Sequence, residues 1–222
     1  MRESRAKQQA RALQIAELLD AEYPGATCEL NYRTPFELLV ATILSAQATD
    51  VKVNEVTADL FRTHNRPEHF AQADPAWLEP VLRPTGFFRS KTKSIIGASQ
   101  ILLERFGGQV PQTMAELIQL PGVSRKTASV VLGCAYGLAE GIVVDTHVAR
   151  LSVRLGLTPP QTETVAINTD KIERDLMALI PRERWISFAH CLIWHGRRVC
   201  SARKPAHDRC CVEGLCPQVG VD

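Results

Sequence analysis

The sequence is short of aromatic residues: only 6% of its 222 residues are Phe, Trp or Tyr, although 45% are hydrophobic. Its core must be mainly aliphatic, and the chain is long enough for one large domain or two small ones. It lacks a long apolar run. The longest, around Phe36 to Leu44, is well short of the roughly 18 residues that suggest a membrane span, so no membrane partner is expected. The opening MRESRAKQQARALQ is charged at once and has no apolar signal-peptide core, which reads as a cytoplasmic protein. Charge of one sign is also scarce. A formal net charge of +2 will not steer a polyanion, so such a partner must be met by basic residues concentrated locally. Low-complexity segments, solenoid repeats and strand-like alternation bounded by turns are all missing.

Helical punctuation is present throughout. Thr34-Pro35-Phe36-Glu37 offers an N-cap, a proline at the first helical position and a glutamate for a capping box. Asp74-Pro75 repeats the cap and proline, and Thr113 with Glu116 repeats the cap and glutamate. Gly107-Gly108 and Gly196 read as helix stops. The class is all-α. Helices are expected near 5–20, 35–45, 50–63, 75–82, 88–106, 113–119, 124–137, 146–155, 168–180 and 183–196, with one plausible boundary in GLAEG, Gly137 to Gly141.

Seven cysteines without an export signal do not suggest a disulfide framework. Cys200, Cys210, Cys211 and Cys216 cluster in the tail, which favours a metal or iron–sulfur site. Cys28, Cys134 and Cys191 have no such spacing, and Cys134 and Cys191 read as buried thiols. Arg197, Arg198, Arg203, Lys204 and Arg209 surround this tail, and with Arg89, Lys91 and Lys93 they are the local basic surface that the near-neutral total calls for. A solvated charged face is the plainer alternative.

In LPGVSRKTASVVL, a Pro-Gly turn joins two helices, with Ser124 as N-cap of the second. Backbone N–H groups from Gly122 to Lys126 and the positive end of the helix dipole form an anion site suited to a phosphate. Lys126 sits in the first helical turn, where the dipole disfavours a cation. A lysine of ordinary pKa is neutral in only about one molecule per thousand at neutral pH. A nucleophilic role therefore needs the ammonium destabilised, and partial burial and the helix N-terminus both push that way. The alternative is a snorkelling lysine that meets phosphate or solvent. In VVDTHVAR, this stretch alone favours Asp145 as a simple N-cap, and His147 reads equally as a satisfied polar residue.

Taken together and in order, ELLVATILSAQATD, LPGVSRKTA, VVDTHVAR and HGRRVCSARKP before a cysteine cluster resemble the endonuclease III family. These are bifunctional DNA glycosylases and abasic-site lyases of base-excision repair, and the resemblance runs from about Thr34 to Cys216. It implies a two-domain helix-hairpin-helix DNA glycosylase fold. Residues 27–138 would form a six-helix barrel domain carrying the hairpin. Residues 1–26 and 139–222 would form an iron–sulfur cluster domain, with DNA in the cleft between the two. The implied partner is duplex DNA containing damaged pyrimidines or abasic sites, bound by a nucleoid-associated monomer.

The resemblance assigns Lys126 as the nucleophile that attacks C1′ of a flipped nucleotide, and Asp145 as the carboxylate that stabilises charge on the sugar. Gln47 matches the side chain that fills the gap left in the duplex, with Ser45 and Asp50 near the same pocket. Phe87 stands where the family inserts a wedge, commonly leucine; the alternative is that Phe87 and Phe88 are core residues of the following helix, the preferred reading for Phe88. Gly122 and Ser124 would face phosphate, Ser124 replacing the usual glycine, and Arg203 and Lys204 would do so from the tail. The family's four cluster cysteines fall in register on Cys200, His207, Cys210 and Cys216, so a histidine replaces one cysteine. His207 as imidazole ligand, Cys211 or Asp208 through a rearranged loop, and a zinc site of three cysteines and one histidine are the readings open for a 4Fe-4S or metal centre. A glycosylase with weak lyase activity or another lesion preference, and a non-catalytic DNA-binding protein, are the alternatives for function.

Overall fold

The computed structural model describes residues 3–160 and 167–221. Among these, eleven α-helices follow one another: α1 (Arg5–Glu22), α2 (Pro35–Ser45), α3 (Asp50–Thr63), α4 (Pro67–Ala71), α5 (Pro75–Leu82), α6 (Phe88–Phe106), α7 (Met114–Leu117), α8 (Arg125–Tyr136), α9 (Thr146–Arg154), α10 (Thr169–Met177) and α11 (Trp185–Arg198). The described residues contain no strand.

Local chemistry sets most of these boundaries. Thr34 Oγ1 accepts from Glu37 N at 3.1 Å, and the Glu37 carboxylate takes the Arg33 N–H at 2.6 Å, so two groups at the start of α2 are satisfied reciprocally. Asp74 caps α5 through Ala76 N, Thr113 caps α7 through Glu116 N, and Gly107, left-handed at φ 59°, ends α6. Three expectations need correction. Helix α4 is an addition to the expected set: its N-cap, Arg66, makes no side-chain cap bond, and it spans only five residues. Helix α7 stops at Leu117 rather than near residue 119, because Gln119 and Leu120 donate to Glu116 and Leu117 in tight i→i+3 turns. Gly196 is no helix stop. It lies inside α11, buried, where a Cβ would come within 3.0 Å of His147 Cβ and 3.2 Å of Arg150 Nη2, so its role is close approach of α11 to α9.

The chain divides into two compact units, residues 29–140 and residues 1–28 with 141–222. In the first, α2 packs against α3, α6 and α8, and α6 also meets α4 and α5. Leu38, Leu39, Leu44, Phe70, Leu82, Ile95, Leu102 and Leu132 are fully buried there, each worth about 1.5–3 kcal/mol against exposure. In the second, α1 and α9 pack on α11 around Ile15, Leu19, Val148, Leu151, Phe188 and Leu192.

Candidate functional site

The hairpin turn between α7 and α8 is pinned by glycine. Gly122 has φ 77°, and a Cβ there would lie 2.7 Å from Ser94 Cβ on α6 and 3.5 Å from Ile43 on α2. Only glycine supplies both the left-handed backbone and the close approach. Val123 N donates to Leu120 O at 3.1 Å, so this amide closes the turn and is not available to a phosphate. Ser124 caps α8, accepting from Thr127 N at 3.2 Å. The first-turn amides of α8, Arg125 and Lys126, have no intrahelical acceptor. Ser124, Arg125 and Lys126 are all exposed. Partial burial, expected to help destabilise the Lys126 ammonium, is therefore corrected: in the free chain its side chain meets solvent.

Two non-glycine residues of the same unit hold left-handed backbone beside helix termini, Gln47 at φ 55° after α2 and Phe87 at φ 48° before α6. Both are exposed, Phe87 at 65%. The left-handed region costs a residue with a Cβ about 1–2 kcal/mol, and such strain persists where surrounding structure over-determines it. Phe88, expected in the core, is only half-buried, with the Arg89 guanidinium 5.1 Å above its ring. Lys91, expected on the basic surface, is 4% exposed, and Nζ donates to Leu44 O and Thr85 O, each at 2.7 Å. Burial pushes its pKa below the usual lysine range. Arg89 and Lys93 are exposed as expected.

In the other unit, Asp145 caps α9, its Oδ1 accepting from Val148 N at 2.8 Å. The cap needs only that one oxygen. His147 is half-buried with Nδ1 3.3 Å from Arg150 Nη2, and desolvation lowers its pKa.

The cysteine-rich tail is organised by short 3-10 turns, His207–Arg209 and Glu213–Leu215. Cys210 N closes the first onto His207 O, and Cys216 N closes the second onto Glu213 O. Cys200, His207, Cys210 and Cys216 line a single small cavity together with Arg154 and Glu213. Cys211 does not line it and packs against the core of its unit. Cys134 is half-buried rather than buried, whereas Cys191 is buried with Sγ 3.6 Å from Asp20 Oδ1.

Sequence reasoning missed the groups that hold this tail. Arg154, on the last turn of α9 and buried, donates from Nη1 to Ser201 O at 2.7 Å and Cys200 Sγ at 3.2 Å, and from Nη2 to Ala202 O at 2.7 Å. Arg150 donates to Gly196 O and Cys200 O, both at 2.9 Å. Ser201 Oγ bonds Lys204 O and N, which closes the SARK turn with Arg203 and Lys204 exposed. His195 is fully buried, its Nδ1 2.9 Å from Tyr23 Oη and its Nε2 3.4 Å from Cys210 Sγ. Burial lowers the His195 pKa to about 4 and raises that of Tyr23 to about 12. The imidazole is therefore neutral and bridges the Tyr23 hydroxyl and the Cys210 sulfur through its two ring nitrogens. Only the α9 register, with arginines four apart on one face, carried a signal for any of this.

Among the described residues, no three His, Cys, Asp or Glu side chains converge tightly enough to hold a metal ion in this conformation. The donor set nevertheless fits a thiophilic centre: three thiols and an imidazole share one cavity.

The fold and hairpin define a class. Residues 40–182 match the family described as HhH-GPD superfamily base excision DNA repair protein. The chain is 51% identical to an endonuclease III from Synechocystis sp. over 96% of this chain and 94% of that protein. It is 41% identical to endonuclease III of Escherichia coli K12 over 93% and 95% of the two chains. A trapped endonuclease III–DNA covalent intermediate superposes with a TM-score of 0.85 at 37% identity, covering 95% of this chain and 96% of that one. The chain belongs to the endonuclease III family of base-excision repair DNA glycosylases and abasic-site lyases. No helix among the described residues is long and apolar enough to cross a membrane.

Proposed function

We propose that the chain acts as a monomer on duplex DNA, removes oxidised pyrimidines and cuts the resulting abasic site with Lys126 as nucleophile. The observation that carries this reading is Lys126 itself, exposed in the first turn of α8, two residues past the Ser124 cap and four past Gly122. The amine of Lys126 adds to C1′ and the N-glycosidic bond breaks, its electron pair leaving with the base, which takes up a proton. The sugar ring opens to an iminium. Loss of a proton from C2′ then expels the 3′ phosphate by β-elimination, and water releases the lysine. Desolvation of the ammonium comes with the seating of DNA, because the side chain is exposed without it. Asp145, with Oδ1 fixed by its cap, stabilises positive charge developing on the sugar. Gly122 and Ser124 present the hairpin to phosphate, Gln47 and Phe87 enter the duplex, and Arg203 and Lys204 meet the backbone.

Cys200, His207, Cys210 and Cys216 would hold a 4Fe-4S cluster, which when bound supplies a covalent cross-link of the tail and no step of the reaction. Zinc is the second reading of the same donor set. Iron and sulfide analysis with visible absorbance separates the two, and a colourless protein with stoichiometric zinc overturns the cluster.

The deciding experiment incubates the protein with abasic-site duplex and borohydride. A covalent adduct is expected, and its loss in Lys126→Ala. No adduct, or an undiminished one in Lys126→Ala, overturns the Schiff-base assignment. Release of the base from a duplex carrying an oxidised pyrimidine, with no adduct on the abasic-site duplex, marks a glycosylase with weak lyase activity.

A further inference from the structure

Lys91 is the one lysine in the 29–140 unit that is buried, and its ammonium joins two points far apart in sequence. Its side chain runs back toward the N-terminus of α6, as a helical side chain must. There Nζ donates to Thr85 O, at the end of the 3-10 turn Arg83–Thr85, and to Leu44 O, in the last turn of α2. A cation suits both places, since each carbonyl belongs to a helical C-terminus. Thr85 is itself buried and fixed by its own hydroxyl, which donates to Leu82 O at 2.8 Å. Ser45 Oγ likewise donates to Thr42 O at 2.9 Å. The left-handed residues follow at once: Phe87 is two residues past Thr85, and Gln47 is three past Leu44.

We infer that Lys91 is a positioning residue that staples the Gln47 and Phe87 segments to one ammonium, so that the two side chains enter a duplex as a preset pair. The inference rests on the reading above, in which those side chains enter DNA. Without the staple, each segment would order its strained residue separately when DNA arrives, and the cost would fall on lesion recognition rather than on phosphate contact.

The test uses the full chain and two duplexes of one sequence, one undamaged and one with a tetrahydrofuran abasic analogue, with 2-aminopurine opposite the analogue. Lys91→Met keeps the apolar stem and removes the donors. Expected is an increase of about tenfold in Kd for the tetrahydrofuran duplex, consistent with losing hydrogen bonds from a charged donor. Little change is expected for the undamaged duplex, and the 2-aminopurine fluorescence change on binding should shrink. In a Gln47→Ala/Phe87→Ala background the same substitution should add nothing. An unchanged ratio of the two Kd values, or an undiminished effect in that background, overturns the staple. If Lys91→Met does not fold, Lys91→Gln is judged by the same ratio. A wild-type protein that does not distinguish the two duplexes would instead defeat the functional reading, so the two failures are separable.

Discussion

The hairpin and the cysteine-rich tail present their exposed cations in opposite ways. At the hairpin, Lys126 rides on a short local device: a glycine turn wedged against Ser94, a serine cap and the first turn of α8. In the tail, Arg203 and Lys204 sit on a loop that has little regular structure of its own. That loop is held by groups from elsewhere in its unit, chiefly the buried Arg154 and the half-buried Arg150 on α9. The difference teaches that an exposed lysine can be placed by a short turn and a cap, whereas an irregular loop needs cations spent inside the protein to satisfy its carbonyls. The second arrangement is the more fragile, because removing one guanidinium orphans several acceptors together.

Four tests sharpen that contrast. The largest effect is expected from Asp145→Asn. Asparagine caps a helix about as well as aspartate, so the melting temperature should hold while the rate of strand cleavage falls by about 10²–10⁴-fold. Equal losses of stability and rate would return Asp145 to a plain cap. Next comes Arg154→Met, which leaves Ser201 O, Ala202 O and Cys200 Sγ without their donor. A loss of about 3 kcal/mol in urea unfolding is expected, with a lower iron content in the purified protein. Unchanged stability would mean that the loop carries itself. Gly122→Ala should cost about 1–2 kcal/mol from the left-handed backbone, plus the overlap with Ser94. Adding Ser94→Gly should recover the overlap and not the backbone cost, and full recovery in thermal melts would show that φ is unimportant there. The smallest effect belongs to Arg203→Ala and Lys204→Ala. Each should lower the slope of log K against log salt by about one while the fold stays intact. Unaltered slopes would leave them as a solvated face.

The helices were legible because their signals are local. Thr34 with Glu37, Asp74, Thr113 and Ser124 act on amides two or three residues away, so reading caps and prolines along the chain located α2, α5, α7 and α8. At α4 no side chain caps the start, and the local signal is confined to Pro67 at the first position and Glu68 in the first turn of a five-residue helix. Glycine was legible as punctuation and misleading as packing: Gly107 ends α6 through its own left-handed backbone, but Gly196 is required by His147 and Arg150, far away in sequence.

By itself, the sequence determined the all-α class, most helix starts, the clustering of thiols in the tail and the family to which the chain belongs. Tertiary structure alone decided which cations face inward. Lys91 and Lys93 are two residues apart and chemically alike, yet one is buried on two carbonyls and the other is exposed. Arg154 is consumed by the tail and His195 is held neutral between Tyr23 and Cys210. The physical reason is range. A cap or a turn is settled by neighbours within four residues, whereas the desolvation of a charge also needs acceptors that folding brings from far away, Leu44 for Lys91 and Ala202 for Arg154.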